Sequence, residues 1–474
     1  MKQEFFPRLT PPELLYAARY AASFREGRRP LDPTASLDEL RRKFNRPLPV
    51  EGRDGMDIIR DLIEAAEPGL VGNTDPGFLA WVMGGSHPTG VAADWLTSIW
   101  GQNAAIYQCS PAAAVAEEAA GAWLLDLLGL PEESSVGFTT GATMAGFVGL
   151  AAARGEVLRR AGHDIEKSGL AGAPPITVYI GADAHVTNHS ALRYLGFGND
   201  QIRRIAVTDQ GVMDTDTLAE AMAEPATARI VICQAGHINS GAFDDFNRIA
   251  DLCEAHGAWM HVDGAFGLWA QASPRLRHLS CGVSRAQSWS VDGHKWLQVP
   301  YDSGFAIVRD ADAHRRAMDV TAGYLNHSPE DGRNPTEYNP ELSRRARGFA
   351  AWSMIQALGR RGVARMVEGH CAAARALAEA IRDVPGVTVR NRVDLNQVVL
   401  SFGMEEGVEA AAAYAQAVAK RLNATGRYFL RTAVWRGETV LRISVIEDGT
   451  NRLFTEKLAA DITEHWNAVR RTAR

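Results

Sequence analysis

Apolar and polar positions follow three regimes along the chain. Up to about residue 65 the apolar positions are sparse and helically spaced. Leu14, Leu15, Ala18 and Tyr20 form one stripe, and a second lies within Leu37-Asp-Glu-Leu-Arg-Arg-Lys-Phe44. Short helices with one apolar face and little core of their own should pack on another body, for which a second subunit is the candidate. From 66 to 364, short apolar runs alternate with helical periodicity. Runs at 176–180, 230–233, 259–262 and 305–308 are nearly continuous in apolar residues, and 288–291 places Trp289 and Val291 between serines. Strands buried on both faces have that pattern, which predicts a largely parallel sheet with helices on either side. From 365 to 474, a long Ala-rich helical stretch precedes apolar runs at 386–390, 397–402 and 440–445, read as a smaller α+β domain. The organisation expected is an N-terminal helical segment (1–65), a large α/β domain (66–364) and a small C-terminal domain (365–474), with no internal repeat.

Composition narrows the class. A chain of 474 residues can bury a large core and divide into more than one lobe. Fifty basic and 56 acidic side chains are interspersed to a net charge of −6, which argues against a nucleic-acid surface. Cys109, Cys233, Cys253, Cys281 and Cys371 show no paired spacing and read as a reduced, intracellular set. No apolar run reaches the roughly 18 residues of a membrane span. The start, Met1-Lys-Gln-Glu-Phe-Phe-Pro7, lacks the apolar stretch and cleavage site of a secretory signal, so the cytoplasm is the expected location.

Candidate chemistry lies at the ends of the apolar runs. Ser288-Trp-Ser-Val-Asp292-Gly-His294-Lys295-Trp296 carries a lysine just after a β-type run and before an apolar segment. Held in a desolvated pocket, such a lysine favours the neutral amine that attacks aldehydes. Upstream, His261-Val-Asp263-Gly-Ala265 ends another run with a carboxylate. An acid and an amine on neighbouring strands suit pyridoxal phosphate, which needs a carboxylate against its ring nitrogen and a lysine for its aldehyde. Ala265 is small enough for a flat ring to lie against the backbone. Gly137-Phe-Thr-Thr140-Gly-Ala142-Thr143 runs into a helical segment whose first N–H groups could take a phosphate, or could simply be a capped helix start. His185 and His189 have a spacing that zinc sites use. No third ligand has matching spacing, and no metal is expected.

On these motifs, which occur in family order over nearly the whole length, the chain resembles the group II pyridoxal-phosphate decarboxylases. That family includes the aromatic-L-amino-acid, histidine and glutamate decarboxylases, and the resemblance is greatest to the aromatic branch and its bacterial relatives. It implies fold-type I (aspartate-aminotransferase-like) architecture and an L-amino-acid decarboxylase working through a Lys295 Schiff base. It also implies a homodimer with interfacial active sites, capped by the N-terminal helices. The cofactor phosphate falls to Ala142 and Thr143, the ring face to His185, and the ring nitrogen to Asp263. His237 stands where the family often has threonine near the cofactor's 3′-oxygen, and either donates to that oxygen or fills a turn. Asp292 replaces the asparagine of the aromatic decarboxylases. An acid there is unfavourable unless it faces away or pairs with a cation, and His294 beside it completes the motif. Tyr324-Leu-Asn-His327 matches a loop that closes over the neighbouring subunit's site, where Tyr324 would protonate the substrate carbon or else anchor the loop. Trp81, Met83, Gly84 and Asn103 match the substrate pocket. Arg344, Arg345, Arg347 and Arg442 are cations of unassigned contact. Two other readings stand beside decarboxylation. One is a different pyridoxal-phosphate reaction, such as aldehyde synthesis, transamination or carbon–carbon cleavage, and the other is a non-catalytic scaffold.

Overall fold

The computed structural model describes residues 11–26, 29–319 and 332–473. At its centre is a seven-stranded sheet built from β1 (Ser135–Thr139), β2 (Ile176–Gly181), β3 (Ile202–Ile205), β4 (Ala228–Gln234), β5 (Trp259–Asp263), β6 (Ser288–Asp292) and β7 (Gly304–Val308), in the order β1-β7-β6-β5-β4-β2-β3. Pairings among β2, β3, β4, β5 and β6 are parallel, while β7 runs antiparallel to both β6 and β1. The sheet is thus the mainly parallel α/β sheet the apolar runs predict, with one refinement. The run at 305–308 reverses direction, because only turns, and no crossover helix, join β6 to β7.

Every residue of β1, β5, β6 and β7 is buried; β5 and β7 are accordingly mostly apolar, whereas β1 and β6 carry buried polar residues such as Ser135, Ser288 and Ser290. The helix Ala142–Arg160 lies across the sheet. Glycine at 149 lets it approach closely, since a Cβ there would come within 3.0 Å of the His261 ring on β5. Among the polar side chains of the sheet, Ser288 Oγ lies 2.8 Å from both Trp259 Nε1 and His261 Nδ1.

A second sheet of β8 (Val387–Val389), β9 (Gln397–Phe402), β10 (Arg431–Trp435) and β11 (Glu438–Ser444) is antiparallel throughout, in the order β10-β11-β9-β8. Helices Val408–Asn423 and Arg452–Ala473 cover it around a core that includes Leu400, Phe402, Leu458 and Trp466. The helix Gly348–Ile381 runs through position 364 and links the two sheets. Its backbone breaks at Gly359 (φ 58°), a left-handed conformation that glycine adopts without steric cost. The helices Pro12–Glu26, Leu37–Phe44 and Gly55–Ala66 form as the N-terminal pattern predicts, the second starting in a Ser36/Glu39 capping box. Together they bury only Ala65.

Candidate active site

The parallel strands point their C-terminal ends at one place, the crevice where open α/β sheets bind ligands. The turn after β1 brings Thr140–Thr143 there, β2 leads to His185, β4 ends at Gln234, β5 at Asp263, and β6 at Asp292 followed by His294 and Lys295. They line a cavity of about 350 Å³ whose apolar walls are Met144, Ile238, Phe266 and the ring of Tyr301.

Lys295 Nζ is mostly buried, 2.9 Å from Asp292 Oδ2 and 5.8 Å from the centre of the Phe266 ring. Its segment is held from behind. Gln298 Nε2 donates to the Lys295 carbonyl, Trp296 Nε1 donates to His370 Nδ1 at 2.9 Å, and Trp269 Nε1 donates to the Asp292 carbonyl. Asp263 is 8 % exposed and pinned on both oxygens. Asn188 Nδ2 donates to Oδ2 at 2.8 Å, and the Ala265 N–H donates to Oδ1 at 3.2 Å. Asn188 escaped notice in the sequence although it sits three residues after His185. It became visible only when the helix Val186–Tyr194 turned it towards β5.

His185 caps that helix, and its Nδ1 lies 2.8 Å from Thr187 Oγ1. Burial pushes its pKa down, with the Asp263 charge partly opposing, so the neutral ring is favoured. His294 is also pushed down by burial and partly restored by Asp292. Its Nδ1 accepts from the Ser303 N–H, which assigns the proton to Nε2, 3.4 Å from Asp292 Oδ1. The Tyr301 ring stacks on His294 with centroids 4.2 Å apart, and although the residue is half exposed, partial burial and the nearby Asp292 charge raise its phenol pKa to about 12. Tyr301, another residue the sequence did not single out, donates its hydroxyl to the Met83 carbonyl at 2.7 Å.

Lys295, Asp263, Ala265, His185, Ala142, Thr143, Asp292 and His294 all come together at the cavity. His237 does not. Its ring is 1 % exposed and faces away into its own turn, where Nδ1 accepts from the Asn239 and Ser240 N–H groups, and it packs near Trp435. Of the two options open for His237, the geometry is that of a turn filler. Trp81, Met83, Gly84 and Asn103 do not line this cavity either. Trp81 leans on Phe78 and Phe429, and Asn103 Oδ1 accepts from the Arg344 N–H. Gly84 (φ 75°) is pressed onto the lysine segment, where a Cβ would lie 2.3 Å from the His294 carbonyl oxygen. Arg344 pairs with buried Glu117, Arg345 with Asp94 and Arg347 with Asp302, and none of the three lines this cavity. Tyr324 and His327 lie outside the described residues.

The donor set fits pyridoxal phosphate. It comprises an amine, a fixed carboxylate on the adjacent strand, small and hydroxyl residues at a helix start, and a neutral imidazole, around a space of suitable size. Known proteins agree. A curated aromatic-L-amino-acid decarboxylase of Bacillus atrophaeus is 30 % identical over 338 residues, covering 70 % of this chain and 68 % of that protein. A protein named tryptophan decarboxylase 1, from Oryza sativa subsp. japonica, is 31 % identical over 417 residues, covering 82 % and 79 %. The crystal structure of Oryza sativa TDC with PLP and tryptamine superposes with a TM-score of 0.89 at 23 % identity, covering 98 % of this chain and 99 % of that one, which supports the fold. The family model described as the pyridoxal-dependent decarboxylase conserved domain matches residues 38–403. The chain therefore belongs to the pyridoxal-dependent decarboxylases, carboxy-lyases that act on amino acids with pyridoxal 5′-phosphate as cofactor.

Proposed function

We propose that this enzyme decarboxylates an aromatic L-amino acid to its amine and that it works as a homodimer in the cytoplasm. The observation that carries the chemistry is the meeting of Lys295, Asp263 and His185 at the ends of three strands around one cavity. In this reading Lys295 supplies the amine that takes the cofactor aldehyde. Asp263, fixed by Asn188 and Ala265, keeps a negative charge against the ring nitrogen. His185 would face the ring, and the start of the helix Ala142–Arg160, with Thr143, would receive the phosphate. When bound, pyridoxal phosphate provides the sink for the electron pair left as the carboxylate departs as carbon dioxide. The residues around it orient that carboxylate, exclude water and return a proton to the α-carbon. Tyr324 is the proposed acid, supported by its Tyr-Leu-Asn-His context. That tyrosine also favours decarboxylation over aldehyde synthesis.

An aromatic substrate is supported by the Phe266 and Tyr301 walls and by the names of the relatives. A dimer is supported by the exposed apolar faces of the N-terminal helices. The reducing compartment is supported by five free cysteines, three of them buried. One observation favours a second substrate class. Arg442 donates to the Ile238 carbonyl and to Asn239 Oδ1, both at 3.3 Å, and makes no carboxylate ion pair among the described residues. Burial lowers its pKa to about 10. A guanidinium held this way beside the cavity suits a substrate with a second carboxylate.

The deciding experiment is mass-spectrometric product analysis of the cofactor-loaded enzyme against a panel of L-amino acids. The expected outcome is amine from one aromatic acid. Turnover confined to aspartate, glutamate or their analogues would replace the aromatic reading with the acidic one. Keto acid or aldehyde as the main product would overturn simple decarboxylation.

A further inference from the structure

Asp292, at the end of β6, makes contacts that are specific. Gly141 precedes the helix Ala142–Arg160 and offers no side-chain cap. The cap comes instead from another strand end, since Asp292 Oδ1 accepts from the Ala142 N–H at 2.5 Å. The same oxygen lies 3.4 Å from His294 Nε2, and Oδ2 lies 2.9 Å from Lys295 Nζ. The carboxylate is 4 % exposed. It thus joins the helix start, where the N–H groups and dipole attract an anion, to the lysine at which the cofactor attaches.

A phosphate bound at Ala142 and Thr143 needs the N–H group that Asp292 now holds. The two acceptors compete for it. Two anions a few ångströms apart in a site sheltered from water also repel strongly. Glycine at 141 makes room for the carboxylate against the helix start, because a Cβ there would lie only 3.1 Å from His294 Cε1 and 3.2 Å from Asp292 Oδ1.

We propose that Asp292 is an internal stand-in for the cofactor phosphate. Its carboxylate caps the helix start and holds Lys295 until the incoming phosphate displaces it, so Asp292 sets the affinity and speed of cofactor uptake. Displacement releases the Ala142 N–H to the phosphate and Nζ from its ion pair in one movement. Asp292 is therefore a positioning residue, acting through the phosphate site and Lys295. This inference rests on the placement of the phosphate at Ala142 and Thr143 proposed above.

Asp292→Asn tests it, because the amide keeps the shape and can still accept from Ala142 while losing the charge. Full-length wild-type and variant proteins, stripped of cofactor, are titrated with pyridoxal phosphate and followed by the absorbance of the lysine-bound form. They are titrated separately with inorganic phosphate and followed by thermal unfolding. The variant is expected to bind pyridoxal phosphate at least tenfold more tightly and to load faster. Inorganic phosphate is expected to raise the melting temperature of the variant clearly more than that of the wild type. Equal or weaker binding of both ligands by the variant would overturn the proposal. If Asp292→Asn does not fold, Asp292→Ser removes the same charge and is read in the same way. Failure of the cofactor reading has a different signature, in which wild-type protein forms no absorbing species with pyridoxal phosphate. The inorganic-phosphate titration then still decides the role of Asp292.

Discussion

Asp263 is held by two donors from different elements, and one of them can be removed without touching the carboxylate. The Asn188 amide reaches Oδ2 from the helix after β2, while the Ala265 N–H reaches Oδ1 from the turn after β5. Asn188→Ala should leave the fold intact but free one oxygen of a buried charged group. A hydrogen bond to a charged partner contributes about 1.5–3 kcal/mol, or roughly ten- to a hundredfold in an equilibrium constant. Pyridoxal-phosphate affinity, measured by absorbance titration, should weaken by that factor. An unchanged affinity would mean that Asp263 does not need Asn188 to face the cofactor. The contrast between these residues also shows what sequence can reveal. Lys295, Asp263 and His185 were legible because each stands in a local motif at the end of an apolar run. Asn188 and Tyr301 act through partners 75 and 218 residues away, and no local pattern marks such contacts. His237 went the other way. The sequence left it open between the cofactor oxygen and a turn, and the turn after β4 directs its ring towards Ser240 and Trp435.

Among the elements, two buried carboxylates hold helices in opposite electrostatic situations. Glu117, within the helix Pro111–Leu127, meets Arg344 at 2.8 Å with both side chains fully buried, and Arg344 also donates to the carbonyls of Ala104 and Phe138. Burial pushes the Glu117 pKa up against the pull of the arginine. Arg344→Met removes the cation and leaves the acid and two carbonyls without it, which should cost about 3–5 kcal/mol in a denaturant titration. A loss below about 1 kcal/mol would mean that the pair adds little beyond packing. Glu156, on the helix Ala142–Arg160, is held by Arg159, Arg160 and Arg316, with the Arg159 hydrogen bond the largest influence, and its pKa falls to about 2. A folded-state pKa below the unfolded value stabilises above the unfolded pKa and loses that contribution as pH falls through the folded one. Stability should therefore decline between about pH 4.5 and pH 2, and Glu156→Gln should flatten that limb, as followed by acid unfolding. The strand pattern was legible where apolar runs were long. The strand Arg431–Trp435 escaped because its residues are exposed or half-buried up to Trp435, which erases the apolar run. The reversal of β7 escaped because hydrophobicity carries no information about strand direction.

For the whole molecule, the question is what covers the apolar surface this chain leaves open. The helix Pro88–Trp100 exposes Trp95, Leu96, Ile99 and Trp100, at 45, 48, 60 and 49 %. The N-terminal helices expose Leu14, Leu15, Leu37, Phe44, Ile58 and Leu62 while burying only Ala65. Apolar exposure on this scale is unfavourable in water, and helices with so little core gain their stability from a partner surface. The proposed homodimer supplies one. In that proposal the half-exposed Tyr301, which lines the active-site cavity, would also be open to a partner. Because these side chains are open on the single chain, replacing them should spare its internal core. Ile99→Glu with Leu62→Glu should shift sedimentation towards the monomer and leave the far-ultraviolet circular dichroism unchanged. Amine production should then fall with dimer content and recover as protein concentration is raised. A double variant that sediments as a dimer with full turnover would move the interface elsewhere. A wild-type chain that is monomeric and fully active would remove the need for a second subunit at the site.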